Sequence, residues 1–135
     1  TMMIETAGGV NVAKDVQGQW TPVTMEQIAA WDPDVIILSD FDPIQPADLF
    51  EDKLEGQNWK NIKAVREGRV YKAPNGLYRW DAPCVETPLM IKWIAQKLHP
   101  DVFGDYRLTD DLRAFYEKFF SYTLTDADLK MILHE

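Results

Sequence analysis

The residues best suited to recognition fall in one stretch, residues 74–88, reading PNGLYRWDAPCVETP. Tyr78 and Trp80 each join an apolar ring to one polar tip, which suits a binding surface and a packed core alike. Arg79 and Asp81 alternate with them, and an extended chain sends alternate side chains to opposite sides. All four can line one cleft only if the loop turns. A second cluster, Ser39-Asp40-Phe41-Asp42-Pro43, follows an apolar run. Its two aspartates can hold a cation, or make the turn that Asp before Pro favours. His99 and His134 stand far apart at predicted helix ends, where an imidazole complements the helix dipole. Neither has a second ligand nearby, so no metal site is predicted.

Patterns of catalysis are missing from the sequence. Gly8-Gly9 precedes a predicted strand, where a phosphate-cradling loop would follow one. There is no nucleophile elbow, no HExxH and no cysteine pair, and Ser39 has no histidine close in sequence to act as its base. The chain therefore reads as a binding protein and not an enzyme, with no cofactor. The single cysteine, Cys84, allows neither an internal disulfide nor a thiolate cage. A lone thiol fits the cytoplasm, and equally an extracytoplasmic protein without disulfides.

The 135 residues suffice for one domain with a real core, and 46% hydrophobic with 27% charged residues is ordinary for a globular protein. A net charge of -8 disfavours nucleic acid and anionic membrane surfaces as partners. No run approaches membrane-spanning length, so direct membrane insertion is not expected.

The elements that must position the two loops follow from pattern. Residues 2–7 read as the end of a helix stopped by Gly8-Gly9, and residues 10–13 as a first strand. Trp20 is expected to anchor the polar loop that follows to the body. Thr24 and Gln27 have capping-box spacing, and Asp32 before Pro33 stops that helix. Residues 35–38 form a continuous apolar, β-branched run, which predicts a parallel strand buried on both faces. A short helix begins at Pro46, and another spans 58–68 with Asn58 as cap and Gly68 as stop. A strand at 69–73 delivers the 74–88 loop to its carboxyl end, where open α/β sheets bind ligands. Thr87 is expected to cap a helix over 88–98, Thr109 the next, and Thr125 the last. Leu112, Phe115, Tyr116, Phe119 and Phe120 follow a helical stripe and are expected in the core. This order predicts an α/β fold with a small, mostly parallel sheet flanked by helices. Three strands are few for so many helices, and Thr1-Met2-Met3-Ile4-Glu5 reads as a helix interior. Both predict a piece of a longer protein.

Several stretches in order carry a resemblance. They are Ala7-Gly8-Gly9-Val10-Asn11-Val12-Ala13, residues 20–28, Asp32-Pro33-Asp34-Val35-Ile36-Ile37, residues 59–71 and Leu98-His99-Pro100-Asp101-Val102-Phe103. Together they resemble the substrate-binding proteins of ABC importers for iron–siderophore, haem and cobalamin. That resemblance implies two α/β lobes joined by one long helix, with ligand bound between them. Residues 1–135 would be the C-terminal lobe. It further implies an extracytoplasmic protein, periplasmic or a surface lipoprotein, that captures a metal chelate, foremost a ferric siderophore. An ABC permease in the membrane would receive it.

By the same resemblance the 74–88 loop faces ligand, with Tyr78, Arg79 and Trp80 as contacts and Arg79 suited to an anionic ligand. Alternatively, Arg79 is a surface charge paired with Asp81. Asn11, Ser39 and Asp40 are further candidates at the cleft. Glu86 resembles the acidic residue that docks on permease arginines, although a carboxylate beside a helix N-terminus is favourable with no partner. Three alternatives accompany this reading: the same family binding cobalamin, haem or an oxyanion such as molybdate; a lobe of a chelatase or nitrogenase-like enzyme; and an interaction module without a small ligand.

Overall fold

Two strands, Ile36–Leu38 (β1) and Val70–Lys72 (β2), pair in parallel with Ile36 opposite Val70 and Leu38 opposite Lys72 in a computed structural model that describes residues 1–18 and 20–135. The ladder continues one residue further, where Ala73 N donates to Leu38 O at 2.8 Å. Both apolar runs thus become strands, and their carboxyl ends lie side by side. β2 is buried at Val70 and Lys72, whereas β1 stays half-buried along its length. Burial on both faces, expected of β1, is not reached. Among the described residues β1 has β2 as its one strand neighbour.

Helices flank this pair in an α/β arrangement: Met2–Thr6 (α1), Met25–Trp31 (α2), Pro46–Phe50 (α3), Lys63–Arg66 (α4), Thr87–Leu98 (α5), Pro100–Phe103 (α6), Leu108–Phe120 (α7) and Asp126–Leu133 (α8). α2 and α8 start with the capping boxes expected from their sequences. In α2, Gln27 N donates to Thr24 Oγ1 at 3.2 Å and Thr24 N to Gln27 Oε1 at 3.1 Å. In α8, Asp128 N donates to Thr125 Oγ1 at 3.2 Å. Each box satisfies two orphan amides of its own first turn.

Several local expectations fail. Thr87 is the first residue of α5 and not its cap, which is Glu86, and its hydroxyl accepts from Cys84 N at 2.9 Å; α7 starts at Leu108, so Thr109 lies inside it. Residues 10–13 form no strand and run into a turn over 12–15. Asn11 folds its side chain back to accept from Ala13 N at 3.1 Å, while Val10 and Val12 remain exposed with no apolar face to bury them. The helix expected over 58–68 shrinks to α4. Its amino end is capped from a distance, because Lys63 N donates to the Asp32 carboxylate at 2.7 Å and Asn58 is not involved. Directly after α5, Pro100 starts the separate short turn α6, since proline suits a first helical position. The stripe on α7 is core only in part. Leu112 and Tyr116 are buried, but Phe119 is 61% exposed and Phe120 44%. The outer rings pack on one another, with Phe115 and Phe119 centroids 5.0 Å apart.

Two apolar clusters hold the fold. One gathers Trp80 with Leu89, Met90, Trp93 and Ile94 of α5, Leu112 and Tyr116 of α7, and Leu129, Ile132 and Leu133 of α8. The other places Leu49 of α3 and Ala64 and Val65 of α4 against Val70 of β2, with Ile62. The buried Lys72 side chain donates from Nζ to the carbonyls of Asp42 and Ile44 (2.8 Å to the latter), so β2 itself holds the loop after β1. No described helix is long and apolar enough to cross a membrane.

A candidate ligand-binding face at the strand ends

The loop after β2 turns at once. Trp80 N donates back to Pro74 O at 3.0 Å, and Asn75 pairs with Arg79 in an antiparallel bridge around Gly76, Leu77 and Tyr78. Asn75 N donates to Ile132 O at 3.0 Å, so α8 fixes where the turn begins. The turn separates the residues it carries. Tyr78 is exposed, Arg79 is half-buried and Trp80 is 0% exposed. This corrects the expectation for Trp80: its ring lies in the core cluster and offers no face to a ligand.

Arg79 comes forward. Its guanidinium carbon lies 5.5 Å from the centroid of the Trp20 ring and 5.4 Å from that of Phe41. The two rings are 6.1 Å apart and tilted by 46°. Both are open to solvent, Trp20 at 71% and Phe41 at 75% exposure. A planar cation over aromatic faces is favourable by about 0.5–1 kcal/mol at exposed sites. Trp20, expected to anchor its loop to the body, thus stands on the surface beside the cation. Neither Trp20 nor Phe41 is among the residues expected at the site from sequence. The available signal was an aromatic residue set among Asp and Gly in a loop, a context that promises no burial.

Behind the guanidinium, Arg79 Nε lies 3.3 Å from Asp81 Oδ1, the pairing weighed as the alternative role for Arg79. Asp81 in turn accepts from the Ser39 hydroxyl. Asp40 accepts from Asn75 Nδ2 at 2.6 Å and lies 3.0 Å from His134 Nε2 at the end of α8. Ser39 and Asp40 therefore lie in the same constellation as the 74–81 turn, and they knit the two strand-end loops together. Asn11 is not brought to them: its side chain donates to Thr1 Oγ1 at 2.9 Å and closes its own turn. Asp42 accepts from Ile44 N at 2.8 Å, which is a turn role.

Arg79 Nε and Asp81 Oδ1 face each other in their ion pair without hydrogen-bond geometry, and between them in sequence the buried Trp80 Nε1 has no hydrogen-bond partner among the described residues. Buried polar atoms left without one are scarce in folded proteins. Among the described residues no group of three or more His, Cys, Asp and Glu side chains is placed to hold a metal ion.

Glu86 also needs correction. Its side chain is 0% exposed, so it presents no carboxylate to a docking partner. Instead Oε2 accepts from Leu77 N at 2.9 Å and Tyr78 N at 3.3 Å, and Oε1 accepts from the Tyr116 hydroxyl at 2.7 Å. Burial, first, and the hydrogen bond to Glu86 push the Tyr116 phenol above its ordinary range, so it remains a donor.

Comparison with known proteins agrees with this architecture. The sequence profile of a family described as periplasmic binding protein matches residues 1–77. The chain belongs to that family. Among periplasmic binding proteins it is similar to a periplasmic solute binding protein of Veillonella parvula DSM 2008. The two share 61% identity and a TM-score of 0.93, over 98% of this chain and 40% of the other. An ABC transporter solute binding protein from Sulfurospirillum deleyianum DSM 6946 is 32% identical, with a TM-score of 0.79 over 98% of this chain and 41% of that one. The molybdate-binding protein MolA of Haemophilus influenzae is 31% identical over 120 residues, 88% of this chain. The chain spans 33% of the length of that curated relative.

Proposed function

We propose that these residues form the C-terminal lobe of an extracytoplasmic substrate-binding protein that captures an anionic metal chelate, of the ferric-siderophore kind, for an ABC permease. One observation carries the choice of ligand: a guanidinium set against two solvent-exposed rings at the ends of parallel strands. Rings stack on flat aromatic groups such as catecholates, and the guanidinium pairs with their oxygens. Tyr78, exposed two residues from the core-bound Trp80, adds a third ring with a hydroxyl. Ser39 and Asp81 hold Arg79 in place behind it. In this reading the lobe binds and releases without chemistry, and its partner supplies the other wall of the site. A second reading, a bare oxyanion, is favoured by the 31% identity to a molybdate-binding protein. An oxyanion would use the Arg79 donors and leave the rings idle.

The test is a tryptophan-fluorescence titration of the full-length protein with a ferric catecholate, cobalamin, haem and molybdate. The ferric catecholate is expected to quench saturably. Arg79→Ala is expected to lower its affinity by about 10-fold to 150-fold, the worth of a hydrogen bond to a charged group at about 1.5–3 kcal/mol. Trp20→Ala should weaken the catecholate but not molybdate. Quenching by molybdate alone, insensitive to Trp20→Ala, would replace the chelate with the oxyanion. No response to any of the four, or an Arg79→Ala affinity equal to wild type, would remove this face from the site.

A further inference from the structure

We propose that Glu86 is a positioning residue, which fixes the Leu77–Tyr78 turn and thereby sets Arg79 against the Trp20 and Phe41 rings. The inference rests on the reading of that face as the ligand site, and it concerns how the face is held. An enclosed carboxylate is costly unless its oxygens are satisfied. Among the described residues no Lys, Arg or His forms an ion pair with Glu86. Three neutral donors satisfy it instead, and two of them are the backbone amides immediately before Arg79. The third, the Tyr116 hydroxyl, comes from α7, so one side chain ties the turn to the core. The carboxylate also stands at the amino end of α5, twelve residues long, where the helix dipole favours negative charge.

The chain around it is cut to fit. Any side chain at Gly76 would collide with the Glu86 carboxylate, and its Cβ would come within 2.6 Å of the Tyr116 hydroxyl. An apolar residue would fill the place of Glu86 at lower desolvation cost, but it could not collect two amides that point inward from the same turn. A backbone pinned at residues 77 and 78 leaves Arg79 little freedom. Its forward direction is then set before any ligand arrives, which lowers the ordering cost of binding.

The experiment needs no ligand for its first readout. In the NMR spectrum of the full-length protein, the Arg79 side-chain protons should be displaced by the ring currents of Trp20 and Phe41. In Glu86→Ala that displacement should collapse. Amide exchange at Leu77 and Tyr78 should rise by about tenfold or more, beyond any change at Leu112 and Tyr116 inside α7. Glu86→Gln keeps a carbonyl acceptor for the two amides and should restore both signals. Should Glu86→Ala fail to fold, Tyr116→Phe removes only the hydroxyl tie and should raise exchange at Leu77 and Tyr78 alone. Unchanged Arg79 shifts in a folded Glu86→Ala, or exchange at 77 and 78 that only tracks α7, would overturn the proposal. The ligand titration separates the two ideas. Ring shifts that respond to Glu86→Ala in a protein whose fluorescence answers to none of the four ligands leave positioning intact and defeat the chelate reading. Chelate binding indifferent to Glu86→Ala does the reverse.

Discussion

Replacing Trp80 with alanine should damage the fold, and replacing Trp20 should damage the binding face. Both are tryptophans in loops that meet at the strand ends, so residue type does not separate them. Burial does. Trp80 is 0% exposed within the cluster built by α5, α7 and α8, whereas Trp20 is 71% exposed. Removing an enclosed tryptophan side chain costs about 3–5 kcal/mol in lost transfer energy and residual cavity. A domain of this size is stable by about 5–15 kcal/mol, so the loss takes a large share of the total. Trp20→Ala forfeits little more than its cation–π contact with Arg79, about 0.5–1 kcal/mol. Urea denaturation followed by far-ultraviolet circular dichroism avoids the removed fluorophore. With a slope of about 1–3 kcal/mol per molar urea, the Trp80→Ala midpoint should fall by at least about 1 M. That drop should be at least about three times the one for Trp20→Ala. Trp80→Phe should lie between, because it keeps most of the ring and deletes an indole N–H that has no partner among the described residues. A Trp80→Ala midpoint no lower than that of Trp20→Ala would refute the assignment of Trp80 to the core.

Two further outcomes test local energetics. Thr125→Ala should destabilise the protein by about 1 kcal/mol, read as a lower thermal midpoint, because it removes the hydroxyl that accepts from Asp128 N in the capping box of α8. The Asp111 carboxyl is held below its usual range, first by its hydrogen bond with Lys92 and then by that with the Tyr106 hydroxyl. A carboxylate with a depressed folded-state pKa adds stability that is present above its ordinary pKa and fades as pH falls through the depressed value. Wild type and Asp111→Asn should therefore differ in urea midpoint near neutral pH and converge in acid. A gap that persists unchanged at low pH would show that the pair is not its source.

What was legible in the sequence was what neighbours within a turn decide. The capping boxes of α2 and α8 close between residues three apart, so their letters suffice. The apolar run at 35–38 and the stop at Gly68, whose φ is +69°, are equally local. Local rules failed where a nearer side-chain bond or a distant group competed. Residues 10–13 were β-prone by type, yet a strand needs a partner and a covered face, and Asn11 offered the backbone a nearer bond. Nothing around α4 announces that Asp32 will cap it, because that bond depends on the chain folding back over β1.

The site divides the same way. The sequence determined that the loops after the two strands would share one end of a parallel sheet, since parallel strands bring their carboxyl ends together. It determined too that Tyr78 and Trp80 would part from Arg79 and Asp81 unless the chain turned. Tertiary structure alone decided how that turn was spent: Trp80 inward, Arg79 forward against Trp20 and Phe41, and Glu86 enclosed beneath them. The reason is physical. A ring buries itself or stays wet, and a carboxylate docks outward or gathers amides, according to which apolar surface and which donors other segments deliver. Those segments, α7 with Tyr116 and the loops carrying Trp20 and Phe41, arrive from far along the chain.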